Sequence, residues 1–115
     1  MTKRRYGKLV RDIVPDAIRA DGDIPNVRIM ENDEFRKELL YKLVEESEEL
    51  RRAGEYNDAD KDSMTEEAAD VLEVLYEIFE EFDLDEGEIE RVRRAKLEKK
   101  GGFKDKVFLE SVLSK

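Results

Sequence analysis

Apolar residues recur at helical spacing along nearly the whole chain, interrupted by only two prolines, Pro15 and Pro25. Pro15 suits the first turn of a short helix that runs through Ile18 to about Ala20 and ends at Asp21-Gly22-Asp23. Asn26 to Met30 reads as extended. Asn32 or Asp33 then caps a long helix carrying Phe35, Leu39, Leu40, Leu43, Val44 and Leu50, with Ala53-Gly54 as its stop. A polar, turn-rich stretch from Glu55 to Asp62 leads into a second long helix. That helix begins near Thr65, and its apolar set runs from Ala68 through Val71, Leu75 and Phe79 to Phe82. After a turn over Asp83 to Gly87, Ile89, Val92, Arg93, Lys96 and Leu97 define a weaker amphipathic helix ending at Lys99-Lys100-Gly101-Gly102. The tail from Phe103 to Leu113 fits either a short strand around Val107, Phe108 and Leu109 or an irregular docked segment. The expected fold is all-α, a single-domain helical bundle over residues 1–115 whose two long helices pack antiparallel.

Carboxylates interrupt both long stripes. Leu39, Leu43, Glu46 and Leu50 step by helical intervals, so Glu46 stands where an apolar side chain belongs. In the second long helix, Met64, Glu67, Val71, Leu75, Ile78 and Phe82 form one stripe, with Glu67 inside it and Asp70 one turn along the same side. A buried, unpaired carboxylate costs several kcal/mol, roughly, and facing carboxylates repel. A divalent cation is the simplest compensation, which makes Glu46, Glu49, Glu67 and Asp70 candidate ligands. Other pairs at the same spacing, Glu31/Glu34, Glu77/Glu80 and Asp85/Glu88, fall beside the stripes or at helix ends and read as solvated faces.

Composition sharpens the chemistry. The 115 residues include 31 acidic and 22 basic side chains, for a net charge of −9, which disfavours a nucleic-acid backbone or an anionic membrane surface as partner. With neither cysteine nor histidine present, only oxygen ligands remain, and these favour Mg²⁺, Mn²⁺ or Ca²⁺ over zinc. Lys3, Arg4 and Arg5 precede no apolar stretch, and no run approaches a membrane span, so the expectation is a soluble, cytoplasmic protein. The core of so charged a chain is modest, and oligomerisation would extend it. Mg²⁺ commonly bridges protein carboxylates to phosphates, which points to metal-assisted hydrolysis of a phosphate ester or polyphosphate.

Lys42-Leu43-Val44-Glu45-Glu46-Ser47-Glu48-Glu49-Leu50, followed by Glu66-Glu67-Ala68-Ala69-Asp70-Val71-Leu72-Glu73, resembles the paired motif of the MazG-type all-α nucleoside triphosphate pyrophosphohydrolases. Lys8-Leu9-Val10-Arg11-Asp12 with Pro15, and Lys96-x-x-Lys99-Lys100-Gly101-Gly102-Phe103, resemble a short single-domain branch of that superfamily. The resemblance extends from about Tyr6 to Glu110. It implies a dimeric or tetrameric helical bundle that uses Mg²⁺, or alternatively Mn²⁺, to cleave a nucleoside triphosphate between its α and β phosphates. Carried over residue by residue, the ligands are Glu46, Glu49, Glu67 and Asp70, with Glu45 beside them and Glu45 or Glu46 as catalytic carboxylate. Lys8, Arg11, Lys96, Lys99 and Lys100 are candidates for binding substrate phosphates. Each also has a plainer reading: the first two as partners of surplus acidic groups, the last three as solvated cations at a helix C-terminus.

Two alternatives stand beside removal of aberrant nucleotides. Phosphoribosyl-ATP pyrophosphohydrolase of histidine biosynthesis has similar acidic segments, but the Lys-Leu-Val-Arg-Asp opening and Gly-Gly-Phe closing segment look less like it. The other alternative is a non-catalytic helical oligomer whose carboxylates hold a structural cation or pair with Lys and Arg.

Overall fold

A computed structural model of the chain describes residues 2–56 and 60–115. The fold is all-α. Four helices follow in order, α1 (Val14–Ala20), α2 (Asn32–Tyr56), α3 (Lys61–Glu81) and α4 (Glu86–Lys100), and no strand occurs among the described residues. The chain divides into two compact units, Met1–Asp83 and Leu84–Lys115.

In the first unit, Pro15 sits in the opening turn of α1, where its missing N–H leaves no bond unmade. The stretch Asn26 to Met30 has no regular secondary structure. Asp33 and Glu34 lie in the first turn of α2, where their charges complement the helix dipole. The helix does not stop at Ala53-Gly54 as its sequence suggests, but continues to Tyr56. Packing explains Gly54: a Cβ there would stand 3.2 Å from the Met64 methyl, so the residue lets α3 approach closely. The second long helix likewise starts four residues before Thr65. The Asp60 side chain accepts a hydrogen bond from the Ser63 N–H at 3.4 Å and caps it. The polar turn expected over Glu55 to Asp62 therefore shrinks to the inter-helix link, of which 57–59 lie outside the described residues.

α2 and α3 pack antiparallel. Arg36 near the start of α2 bonds Glu81 at the end of α3 at 3.2 Å, and Gly54 near the end of α2 meets Met64 near the start of α3. The seam buries Leu39, Ala53 and Ile78, and with them Glu46, which is only 8% exposed. Leu43, Leu50, Met64, Glu67, Val71 and Leu75 are half-buried along the same seam, as the stripes require. Off the seam, Leu40, Tyr41 and Val44 on α2 and Leu72 and Tyr76 on α3 remain exposed.

In the second unit, Asp85 caps α4 by accepting from the Glu88 N–H at 2.8 Å, and Gly101 ends the helix. The segment from Phe103 to Leu113 is neither helix nor strand, and Phe103, Val107, Phe108, Leu109, Val112 and Leu113 are exposed. No helix among the described residues is long and apolar enough to cross a membrane.

Candidate metal centre

Halfway along the α2/α3 seam, the two helices direct carboxylates at each other. Glu46 and Glu49 lie one turn apart on α2, and Glu67 faces them from α3. Ligand oxygens from these three side chains lie within 4.8 Å of one another. The Oε2 atoms of Glu46 and Glu67 are buried with no hydrogen-bond partner among the described residues. Such orphaned oxygens are costly, and a cation satisfies them without further donors. Opposite oxygens around a divalent cation lie about twice the metal–oxygen distance apart, roughly 4 Å for Mg²⁺ and nearer 5 Å for Ca²⁺. The three residues could therefore hold a divalent ion.

Electrostatics express the same strain. Burial, first, and then the charge of Glu49 push the Glu46 carboxyl above the ordinary carboxylate range, with Asp70 adding to the rise and Lys42 opposing it. Glu67 is raised mainly by burial and by the close Glu49 carboxylate, with smaller contributions from Asp70 and Glu46. Both groups hold protons more tightly folded than unfolded. The stability they contribute is thus complete below the unfolded value of 4.5 and is lost as pH rises through their raised folded values. Metal-free protein should accordingly lose stability across that window relative to a Glu46→Gln/Glu67→Gln double variant. Chemical denaturation of both proteins from pH 4 to 7 checks this: parallel curves would mean the two carboxyls are not strained.

Asp70, expected as the fourth ligand, is held elsewhere. Its Oδ1 accepts from the Arg11 guanidinium at 2.7 Å, although its charge still reaches Glu46 and Glu67. Glu45, half-buried beside the trio, has the Lys8 ammonium at 3.7 Å and the Lys42 ammonium at 3.6 Å. The structure thus places Lys8 and Arg11 on acidic side chains of the site. Lys96, Lys99 and Lys100 lie in the second unit, exposed along one face of α4 where, with Arg91, Val92 and Ala95, they line a shallow depression of about 270 Å³.

Sequence reasoning missed Lys42. Its ammonium lies 3.5 Å from Glu46 Oε1, with the side chain only 16% exposed, so it occupies one oxygen of Glu46 and leaves the other free. The signal was present in the spacing, since Lys42 precedes Glu45 by three residues and Glu46 by four. The acidic pairs set aside as solvated are accounted for locally. Glu34 takes a bidentate bond from Arg28, Asp85 caps α4, Glu88 pairs with Arg91, and Glu31, Glu77 and Glu80 are exposed.

No family model matches the chain, and no solved structure matches it. A stretch of 46 residues is 48% identical to an uncharacterized protein of Mycolicibacterium smegmatis (strain ATCC 700084 / mc(2)155). The match covers 40% of this chain and 47% of that protein, so the chain spans about half the length of the relative it matches.

Proposed function

We propose that the protein is a Mg²⁺-dependent nucleoside triphosphate pyrophosphohydrolase, converting a nucleoside triphosphate to a nucleoside monophosphate and pyrophosphate in the removal of aberrant nucleotides. The observation that carries the reading is the trio of Glu46, Glu49 and Glu67, with two buried oxygens that no donor among the described residues satisfies. The resemblance of both acidic segments to the MazG-type motif supplies the reaction class.

Glu46, Glu49 and Glu67 would hold the ion. When bound, Mg²⁺ offsets the charge of the triphosphate and makes water a better nucleophile at neutral pH. Glu45 or Glu46 would accept the proton of the attacking water as a new P–O bond forms at the α phosphorus, the α–β bridge breaks and pyrophosphate departs. Lys42 fixes the orientation of Glu45 and Glu46 through their Oε1 atoms. Lys8 and Arg11, which pair with Glu45 and Asp70, would supply positive charge for substrate phosphates, while Lys96, Lys99 and Lys100 form a basic face within the second unit. A homo-oligomer belongs to the proposal, because the exposed Leu40, Tyr41, Val44, Leu72 and Tyr76 offer apolar area to a second copy.

A second reading draws on the same site. Lys8, Lys42 and Arg11 already neutralise Glu45, Glu46 and Asp70 in part, as a purely structural ion-pair network would. The unsatisfied Glu46 and Glu67 oxygens favour the cation. Pyrophosphate release from a panel of ordinary and modified nucleoside triphosphates and phosphoribosyl-ATP, each with Mg²⁺ and with chelator, separates the readings. Metal-dependent release of pyrophosphate is expected from at least one compound. A folded protein inert toward all of them supports the structural network, and preferential cleavage of phosphoribosyl-ATP supports the biosynthetic alternative.

A further inference from the structure

The N-terminal segment is pinned to both sides of the carboxylate trio. Residues 2–13 have no regular secondary structure, yet Lys8 reaches Glu45, immediately before Glu46 on α2, and Arg11 reaches Asp70, one turn after Glu67 on α3. Gly7, with φ of +54°, sets the bend between Tyr6 and Lys8 in a conformation other residues adopt only with strain. Five of the first eleven residues are basic, Lys3, Arg4, Arg5, Lys8 and Arg11, and none is acidic. Of these, Lys8 and Arg11 stand on carboxylates beside the trio, while Arg4 pairs with Asp23.

We propose that this segment is an exchangeable strap. Arg11 and Lys8 act as built-in counter-cations on Asp70 and Glu45, and binding of a divalent ion at Glu46, Glu49 and Glu67 displaces them. The inference rests on the cation-centre reading above and adds its regulation. Both pins are partly exposed: the Arg11 and Asp70 side chains are 59% and 39% accessible, and those of Lys8 and Glu45 43% and 36%. Pairs so exposed to water are weak and yield readily to a competitor of higher charge. Asp70 already acts electrostatically on Glu46 and Glu67, so a divalent ion at the trio attracts the Asp70 carboxylate and repels the Arg11 guanidinium. Release frees Asp70 to join the ligand set and leaves two cations on a flexible tether beside the place where an anionic ligand would bind.

The chain contains no cysteine, so a nitroxide attached to a Tyr6→Cys variant reports on the strap alone. Electron paramagnetic resonance in a titration with diamagnetic Mg²⁺ should show a slow, pinned component giving way to a fast one, in parallel with Mg²⁺ binding followed by calorimetry. Asp70→Asn in the same labelled background should show the fast component without Mg²⁺, and Arg11→Gln should bind Mg²⁺ about two- to fivefold more tightly than the parent, the scale of an exposed ion pair. Calorimetric Mg²⁺ binding with unchanged label mobility would overturn the strap and leave the cation centre standing. An Arg11→Gln variant with equal or weaker Mg²⁺ affinity would overturn it as well. Failure of the parent to bind Mg²⁺ at all would remove the centre, and the exchange with it.

Discussion

Glu46→Gln is expected to lower turnover at least about a hundredfold while the metal-free protein stays folded and becomes more stable, by on the order of 1 kcal/mol. The two effects share one cause. Glu46 is the buried member of the trio, and its Oε2 lacks a partner. The amide carries no charge, so the variant relieves both the desolvation of a carboxylate and its repulsion from Glu49 and Asp70. It also removes an anionic ligand. Losses of 10–100-fold accompany changes to groups that merely support metal ligands, so loss of a direct ligand should do at least as much. Steady-state pyrophosphate release and thermal melting of the same preparation check both parts. A variant that is inactive and also less stable would mean that Glu46 is held by protein contacts. A variant as active as the parent would remove Glu46 from the site.

Mg²⁺ should raise the melting temperature of the parent, and chelator should reverse the effect. Binding to the folded state alone stabilises by about 2.7 kcal/mol at a hundred times the dissociation constant. For a chain of this length that corresponds to roughly 10 °C. The control is NaCl at matched ionic strength, which screens both the net charge of −9 and surface pairs such as Arg28–Glu34 and Arg91–Glu88 without supplying a divalent ion. The Glu46→Gln/Glu67→Gln double variant should begin from a higher metal-free melting temperature and show no rise. A parent melting temperature indifferent to Mg²⁺ over the millimolar range would contradict a cation centre in the seam.

The seam itself was legible from period alone. Glu46 and Glu67 stand at stripe positions set by the apolar spacing of their neighbours, and those positions are buried and half-buried respectively in the structure. Helix ends were less legible, and the reasons are physical. Gly54 reads as a C-terminal stop, whereas it stands within α2 beside the Met64 methyl, a tertiary contact that spacing does not reveal. Asp60 caps α3 through a side-chain bond that competes with several equally plausible acidic caps in the same polar stretch.

Within the site, the local pairs were readable and the distant ones were not. Lys42 stands at helical spacing from Glu45 and Glu46, so its contact follows from α2 alone. The Arg11–Asp70 bond joins residues 59 apart and depends on how the irregular N-terminal segment lies across two helices. The tail from Phe103 to Leu113 was ambiguous for a related reason. Its apolar residues follow no sustained period, and the segment is irregular rather than a strand.

The most direct test is titration of Mn²⁺ into the parent and into the Glu46→Gln/Glu67→Gln double variant at neutral pH, following free Mn²⁺ by its electron paramagnetic resonance signal. The account predicts saturable binding to the parent, competed by Mg²⁺ and lost in the double variant while its helical content is unchanged. Equal binding by both proteins, or none by the folded parent, would contradict a cation centre built on Glu46, Glu49 and Glu67.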